Sequence, residues 1–459
     1  MSRFLFATIP AVGHTLPGLP IAQALINRGH SVRWYTGAAF ADRITVIGAT
    51  FCPMTGDDSS LVGLDDFYPG RREQSGIRRL QFDMLYAFAR PMRTSLADLQ
   101  ELLNTESADL VVGDTGFGAG PILAELGGPP FAAFGISVVG FPSRNLAPFG
   151  LGLPPSGNVW GQVRNRVLDQ LARQVLFRPM TAAVNEIRGS LGLPPTNQIV
   201  FEYPLASTLY LQLSTPGFEY PRSDLPAVVR YVGPPRPVAE PGWREPSWWV
   251  DLMSSKGDDP LGPPQDVTVT LGEEPRPRGR PVVLVTQGTV ATDADKPIRP
   301  SLTALAEEDM LVIAVTGGSD PAELGPLPAN ARVARYVPFA ELLPHVDVFV
   351  TNGGFGGVQL ALAEGVPVVA AGTTEDKLEV NARVAYAGVG LNLRTQTPSL
   401  QVLRAAVRKV LLDPSYARRA GELAAEIDAA GREDQAATLL EEVAGRTGAS
   451  RQDRSADAV

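Results

Sequence analysis

The chain has 459 residues, a formal net charge of −9 and an isoelectric point near 5.1, a balance that disfavours nucleic acid or an anionic membrane as partner. Its hydrophobic fraction of 44% is ample for the cores of two or three domains, and no apolar run reaches the length of a membrane span. The single cysteine, Cys52, forbids an internal disulfide and fits a reducing cytoplasm.

FLFATIPAVG at the start is interrupted by Pro10 and lacks a basic flank, so residues 4–9 read as a first buried strand rather than an export signal. In the following PAVGHTLPGLP, Pro17 and Pro20 suit the first turn of a helix, where a missing N–H costs nothing. Leu19, Ala22 and Ile26 share a face, and Gly29 stops that helix before a second strand at residues 31–35. His14 therefore falls in the loop at the carboxyl end of the first strand. Open α/β sheets bind ligands at that edge, and a base placed there has access to substrate. Of the other histidines, His30 lies just past a helix stop and reads as a solvated turn residue, and His345 precedes a strand and reads as structural.

ADLVVGD places Val111 and Val112 in a buried strand and lets Asp114 emerge at the same sheet edge as His14. Asp114 can cap the next helix, or hold one tautomer of His14 and stabilise its imidazolium; both roles are compatible. Asp109 starts that strand on the opposite edge and reads as a solvated turn. Phe82, Met84, Leu85, Phe88 and Met92 have the spacing of a helical core. Val138, Val139, Phe141 and Phe149 are too broken by Pro142, Pro148 and glycine to form a regular element, and suit a pocket wall. Phe82, Phe88, Phe141 and Phe149 are the candidates to touch a bulky apolar ligand. ASTLYLQLS and VVRYVG close this half as its last strands, giving a first domain over residues 1–235.

Residues 236–280, rich in proline and charge, read as an interdomain linker in which Trp243, Trp248 and Trp249 imply a short packed helix. A second domain spans residues 281–445, and residues 446–459 look like a flexible tail. Its first strand, PVVLVTQGT, ends in Gln287, Gly288 and Thr289. Strands near residues 309–316 and 332–337 repeat the βα rhythm. The organising stretch is TNGGFGGVQLALAEG, residues 351–365: a short apolar strand, a glycine turn, then a helix with Val358, Ala361 and Leu362 in register and Gly365 as its stop. This arrangement leaves backbone N–H groups free at a positive helix end, which binds diphosphate oxygens well, although plain strand-to-helix packing gives the same pattern. Further on, Glu375 and Asp376 stand before a helix, as a solvated helix start or as acceptors for sugar hydroxyls.

GHTLPGLPIAQALINRGHSVRWYT, YVPFAELLPHVDVFVTNGGFGGVQLALAEGVPVV and EVNARVAYAGVG resemble, in that order, the motifs of the inverting family-one glycosyltransferases, including the bacterial macrolide and antibiotic glycosyltransferases and the UDP-sugar transferases of plants and animals. The resemblance covers both halves. It implies a GT-B fold, two Rossmann-like α/β domains facing across a cleft, with the acceptor in the first and the nucleotide sugar in the second. By resemblance His14 is the general base and Asp114 its partner. Gln287, Gly288 and Thr289 touch the donor phosphates, and Tyr336 and Val337 frame the base. Asn352, Gly353, Gly354, Phe355, Gly356 and Gly357 form the diphosphate loop; Glu375 and Asp376 read the sugar. A side chain at Gly354 would push the phosphates off the helix end and strain a backbone expected to need φ > 0.

The implied donor is a UDP- or TDP-sugar used as co-substrate, with no cofactor and no metal. The implied acceptor is a hydrophobic small molecule, and the enzyme a cytoplasmic monomer or homodimer without integral membrane association. Two departures stand out: the family usually has histidine where this chain has Asn352, and its acid–glutamine pair is here EDK. A sugar-nucleotide epimerase or hydrolase on the same fold, and a catalytically idle homologue with a binding or helper role, are the competing readings. A dinucleotide-dependent oxidoreductase is disfavoured, because PAVGHTLPG lacks the GxGxxG spacing.

Overall fold

The computed structural model describes residues 1–56, 64–240, 242–256, 279–288 and 296–456. They fall into two compact units, Met1–Val238 with Glu426–Val459, and Ala239–Ala425. Both are parallel α/β sheets, so the fold is the two-Rossmann-domain architecture of the GT-B class.

The first unit holds a seven-stranded parallel sheet: β1 (Arg3–Ala7), β2 (Ser31–Thr36), β3 (Thr50–Pro53), β4 (Leu110–Asp114), β5 (Phe131–Gly135), β6 (Leu209–Gln212) and β7 (Val229–Tyr231). Its order is β3-β2-β1-β4-β5-β6-β7. Helices cover both faces, which is why β4 and β5 are unbroken buried runs rather than alternating ones. The order reverses between β1 and β4, whose register pairs Ala7 with Gly113. At such a switch point the crossover helices diverge to opposite faces and leave a crevice at the carboxyl edge.

The second unit repeats the plan with β8 (Val282–Thr286), β9 (Leu311–Val315), β10 (Ala331–Ala334), β11 (Val348–Thr351), β12 (Val368–Ala370) and β13 (Gly390–Asn392), in the order β10-β9-β8-β11-β12-β13. Its switch point lies between β8 and β11, paired in register from Val283–Val348 to Thr286–Thr351.

The chain ends divide differently from the sequence reading. Residues from Glu426 return to the first unit instead of completing the second. The helix Arg432–Ala456 packs against the helix Leu19–Asn27, β4 and β6, burying Ala436, Ala437, Leu440 and Ala444. Arg28 donates to Glu441 Oε2 (2.9 Å) and to Thr438 Oγ1 (2.9 Å). His30 is no solvated turn residue: its Nδ1 accepts from the Ser2 N–H (3.0 Å) and its Nε2 meets Glu441 Oε1 (2.7 Å). Asp109 likewise accepts from the Arg3 N–H (2.8 Å). The expected tail is helical to Ala456, and residues 457–459 lie outside the described ones.

Within the expected linker, residues 241 and 257–278 are also outside the described ones; Arg236–Val238 belong to the first unit, and the remaining described residues to the second. There the helix Trp249–Ser255 buries Trp249 edge-on against His345, 6.1 Å between ring centroids, and Lys256 pairs with Asp347 at 2.8 Å. Tryptophan burial, not linker flexibility, decides this segment. Among the described residues no helix is long and apolar enough to cross a membrane.

Candidate active site

Because β1 and β4 are neighbours, residues just beyond Ala7 and at the end of β4 meet at one point of the sheet edge. Asp114 closes β4 with 1% exposure, and a carboxylate that deep must be fully hydrogen-bonded. Its Oδ2 accepts from the Ile9 N–H (2.9 Å), and its Oδ1 accepts from the Gly116 N–H (2.8 Å) and faces His14 Nδ1 at 2.7 Å. Asp114 does not cap the next helix: Ala119–Glu125 begins five residues on, with Gly118 as its N-cap. His14 sits in a one-turn helix, Val12–Thr15, rather than an irregular loop, and its ring nitrogen toward Asp114 is fixed as the donor. Nε2 is thereby left as the basic nitrogen. Burial pushes the hydroxyls of Tyr35 and Tyr210 well above the ordinary tyrosine range, so neither competes as a base.

Beside the dyad lies an apolar pocket lined by Ile9, Met54, Tyr86, Phe88, Met92 and Phe117, among others. The Phe88 ring stands 6.2 Å from that of His14, carried by a π-helical turn, Met84–Ala89, a local distortion common at functional sites. Gly116 lets the pocket wall close on the dyad, since a Cβ there would lie 2.8 Å from both Ile9 Cδ1 and Phe88 Cε1. Of the four aromatic candidates, Phe88 alone lines this pocket. Phe82 stacks on Tyr86 (4.1 Å, 16°) and supports it from outside the lining set. Phe141, read as pocket wall, is core: it is buried edge-on to Tyr210, because the glycine- and proline-broken loop folds inward over β5 and β6. Phe149 packs on Phe201 at 4.5 Å, also outside the lining. Sequence reading missed Tyr86, Met54 and Phe117; Tyr86 lies in the same aromatic run as Phe82 and Phe88, which was the available signal.

At the switch point of the second unit, β8 runs into Gln287 and Gly288, and β11 into Asn352 and Gly353. Asn352 ties them: its Nδ2 donates to the Gln287 carbonyl and its Oδ1 accepts from the Gly354 N–H (3.2 Å). The helix Phe355–Ala363 starts at Gly354 without a side-chain cap, so the N–H groups of its first turn, on Phe355, Gly356 and Gly357, have no acceptor within the helix. Space is open beside Gly356. This is the geometry of an anion site at a helix N-terminus.

The loop is braced from behind by a residue without a role in the sequence reading. Asn381, fully buried on the helix Lys377–Tyr386, donates from Nδ2 to the carbonyls of Asn352 (3.2 Å) and Gly372 (3.0 Å). A Cβ on Gly353 would fall 1.7 Å from Asn381 Oδ1, and Gly353 has φ +93°. Gly354, expected to need positive φ, has φ −61° and 3.8 Å of clearance; the left-handed position is one residue earlier, where the chain turns off β11.

Tyr336 is half exposed and donates to Glu240 Oε1 (2.8 Å), while Val337 is buried and offers only backbone. Glu375 is exposed with φ +55°, its carboxylate bound by the Lys377 ammonium; Asp376 precedes the helix without capping it. Thr289 lies outside the described residues. Among the described residues no three His, Cys, Asp or Glu side chains group as metal ligands.

The family model for the C-terminal domain of erythromycin biosynthesis protein CIII-like proteins matches residues 299–443. The 4'-demethylrebeccamycin synthase of Lentzea aerocolonigenes is 42% identical over 444 residues, covering 96% of this chain and 99% of that protein. UDP-glucosyltransferase B1 of Starmerella bombicola is 31% identical over 91% of this chain and 93% of its own. In fold, the chain is similar to the calicheamicin glycosyltransferase CalG4 (TM-score 0.71, 23% identity, 97% and 99% of the two chains). It is also similar to the glycosyltransferase VinC, solved in complex with DTDP (TM-score 0.64, 23% identity, 97% and 100%).

Proposed function

The chain belongs to the family-one glycosyltransferases, and from that premise we propose that it moves a sugar from a UDP- or TDP-sugar, with inversion, onto a hydroxyl of a bulky, largely apolar natural-product acceptor. The observation that carries this reading is the 2.7 Å contact of His14 with the buried Asp114 beside an aromatic pocket. An alcohol is a poor nucleophile at neutral pH. Nε2 of His14 takes its proton as the oxygen bonds to the anomeric carbon, and Asp114 stabilises the imidazolium so formed. The anomeric carbon–oxygen bond to the diphosphate breaks in the same displacement, from the opposite face, which inverts that carbon. The departing charge passes to the N–H groups of Phe355, Gly356 and Gly357. The apolar lining, the name of the relative 4'-demethylrebeccamycin synthase and the matching erythromycin-biosynthesis family model support the acceptor class.

The test is a screen of the purified protein with UDP- and TDP-sugars and candidate aglycones, scoring diphosphate release and the anomeric configuration of the product. Release without acceptor would favour a hydrolase, donor interconversion an epimerase, and no turnover with intact donor binding an idle homologue. Turnover is expected to survive EDTA, since backbone N–H groups take the diphosphate charge. The only Asp-x-Asp pattern near the donor loop, Asp293 and Asp295, lies outside the described residues. Activity lost with chelator and restored by magnesium or manganese would overturn the metal-free mechanism.

A further inference from the structure

The diphosphate loop read above is neutral. Gln287, Gly288 and residues 352–357 carry no charge, and a helix end contributes the equivalent of only about half a positive charge toward a ligand bearing at least two negative ones. A full positive charge lies close behind it. Lys377, the first residue of the helix Lys377–Tyr386, is 5% exposed, and lysines are almost never so buried unless paired. Its stem runs against the loop. A Cβ placed on Gly372 would meet the Asn352 carbonyl oxygen at 2.0 Å and Lys377 Cδ at 3.1 Å, so both converge on that one glycine. The Asn381 amide joins Gly372 and Asn352 at the same place.

The partner of the ammonium is an unusual one. Glu375 is exposed, and it occupies the left-handed backbone region, an unfavourable conformation for a residue with a side chain and one that clusters at functional sites. It is a counter-ion held in place, not a packed one. Two further buried acceptors at the loop, Gln287 Oε1 and Asn381 Oδ1, have no hydrogen-bond partner among the described residues. Asn381 Oδ1 is aimed at Gly353.

We propose that Lys377 is the cation of the donor site: its ammonium leaves Glu375 for the diphosphate oxygens when the donor binds, supplying the charge that the neutral loop lacks. This rests on the assignment of residues 352–357 as the diphosphate loop, and the experiment separates the two claims. Calorimetry with UDP and TDP, with intact UDP- and TDP-sugars, and with uridine and thymidine as uncharged controls, is run on the full chain and three variants. Lys377→Met is expected to weaken diphosphate binding by about 10- to 100-fold, the worth of one charge-assisted hydrogen bond. Nucleoside affinity should not change, and Lys377→Arg should retain most of the diphosphate affinity. Glu375→Gln, at an exposed position that leaves folding intact, should tighten diphosphate binding several-fold by freeing the ammonium.

Equal losses for diphosphate and nucleoside in Lys377→Met, with no effect of Glu375→Gln, would make Lys377 a packing residue and overturn the proposal. So would unchanged diphosphate affinity with weakened binding of the intact nucleotide sugar, which would assign Lys377 to the sugar. Failure of the unmodified chain to bind either diphosphate would overturn the loop assignment itself.

Discussion

His14→Ala is expected to lower kcat by at least about a hundredfold for oxygen acceptors, with donor affinity nearly intact. General base catalysis by a positioned group contributes about 10²–10⁴-fold, and among the described residues that line the pocket none carries a carboxylate or an imidazole, while the buried Tyr35 and Tyr210 stay protonated. His14 also sits in the first unit, whereas the anion site is built by β8, β11 and the helix Phe355–Ala363 of the second. A loss confined to kcat and absent from UDP or TDP binding is therefore the signature sought. Steady-state kinetics with calorimetry measures both, and a mutant retaining more than about a tenth of the activity would remove His14 from the base role.

Gly353→Ala is expected to cost at least about 2 kcal/mol of stability and to abolish measurable diphosphate binding. The methyl group must occupy space 1.7 Å from Asn381 Oδ1, at a residue with φ +93°. Relief requires Asn381 to withdraw, which breaks its bonds to the Asn352 and Gly372 carbonyls and parts the two loops it joins. Gly354→Val is the matched control. Its φ of −61° accepts any residue and its nearest neighbour is 3.8 Å away, so folding should be unaffected while the side chain intrudes where phosphates approach the helix end. Thermal unfolding beside UDP calorimetry separates the two. Equal destabilisation by both variants would show that Asn381 does not brace the loop.

Much of this was legible in the sequence, for physical reasons that apply element by element. Strands covered on both faces are continuous apolar runs, so VVLVT and LVV announce themselves, and the polar residue that ends each run marks the carboxyl edge. That alone placed His14, Asp114, Gln287 and Asn352 at sheet edges.

What failed depends on packing between distant segments. The helix Arg432–Ala456 has the same alanine-rich apolar face wherever it docks. Its return to the first unit is fixed by burial against β4 and β6 and by Arg28 and His30, some four hundred residues away. Phe88 has the spacing of a helical core and Phe141 lies in a loop broken by proline and glycine, yet the two take the opposite parts. One lines the pocket and the other is core because a π turn presents Phe88 while a loop folds Phe141 over Tyr210. Asn381 and Lys377 carried no signal because an asparagine within a helix, or a lysine at its start, is ordinarily solvated. Here the close approach allowed by Gly353 and Gly372 draws both inward.

The central claim is that His14 and Asp114 act as one unit, and a double-mutant cycle on kcat tests it most directly. If Asp114 works only by orienting His14 and stabilising its charged form, it has nothing to act on once the imidazole is gone. Asp114→Ala should then cost less than His14→Ala, and the double mutant should be little slower than His14→Ala alone. Multiplicative losses in the double mutant would show two independent roles and contradict the account.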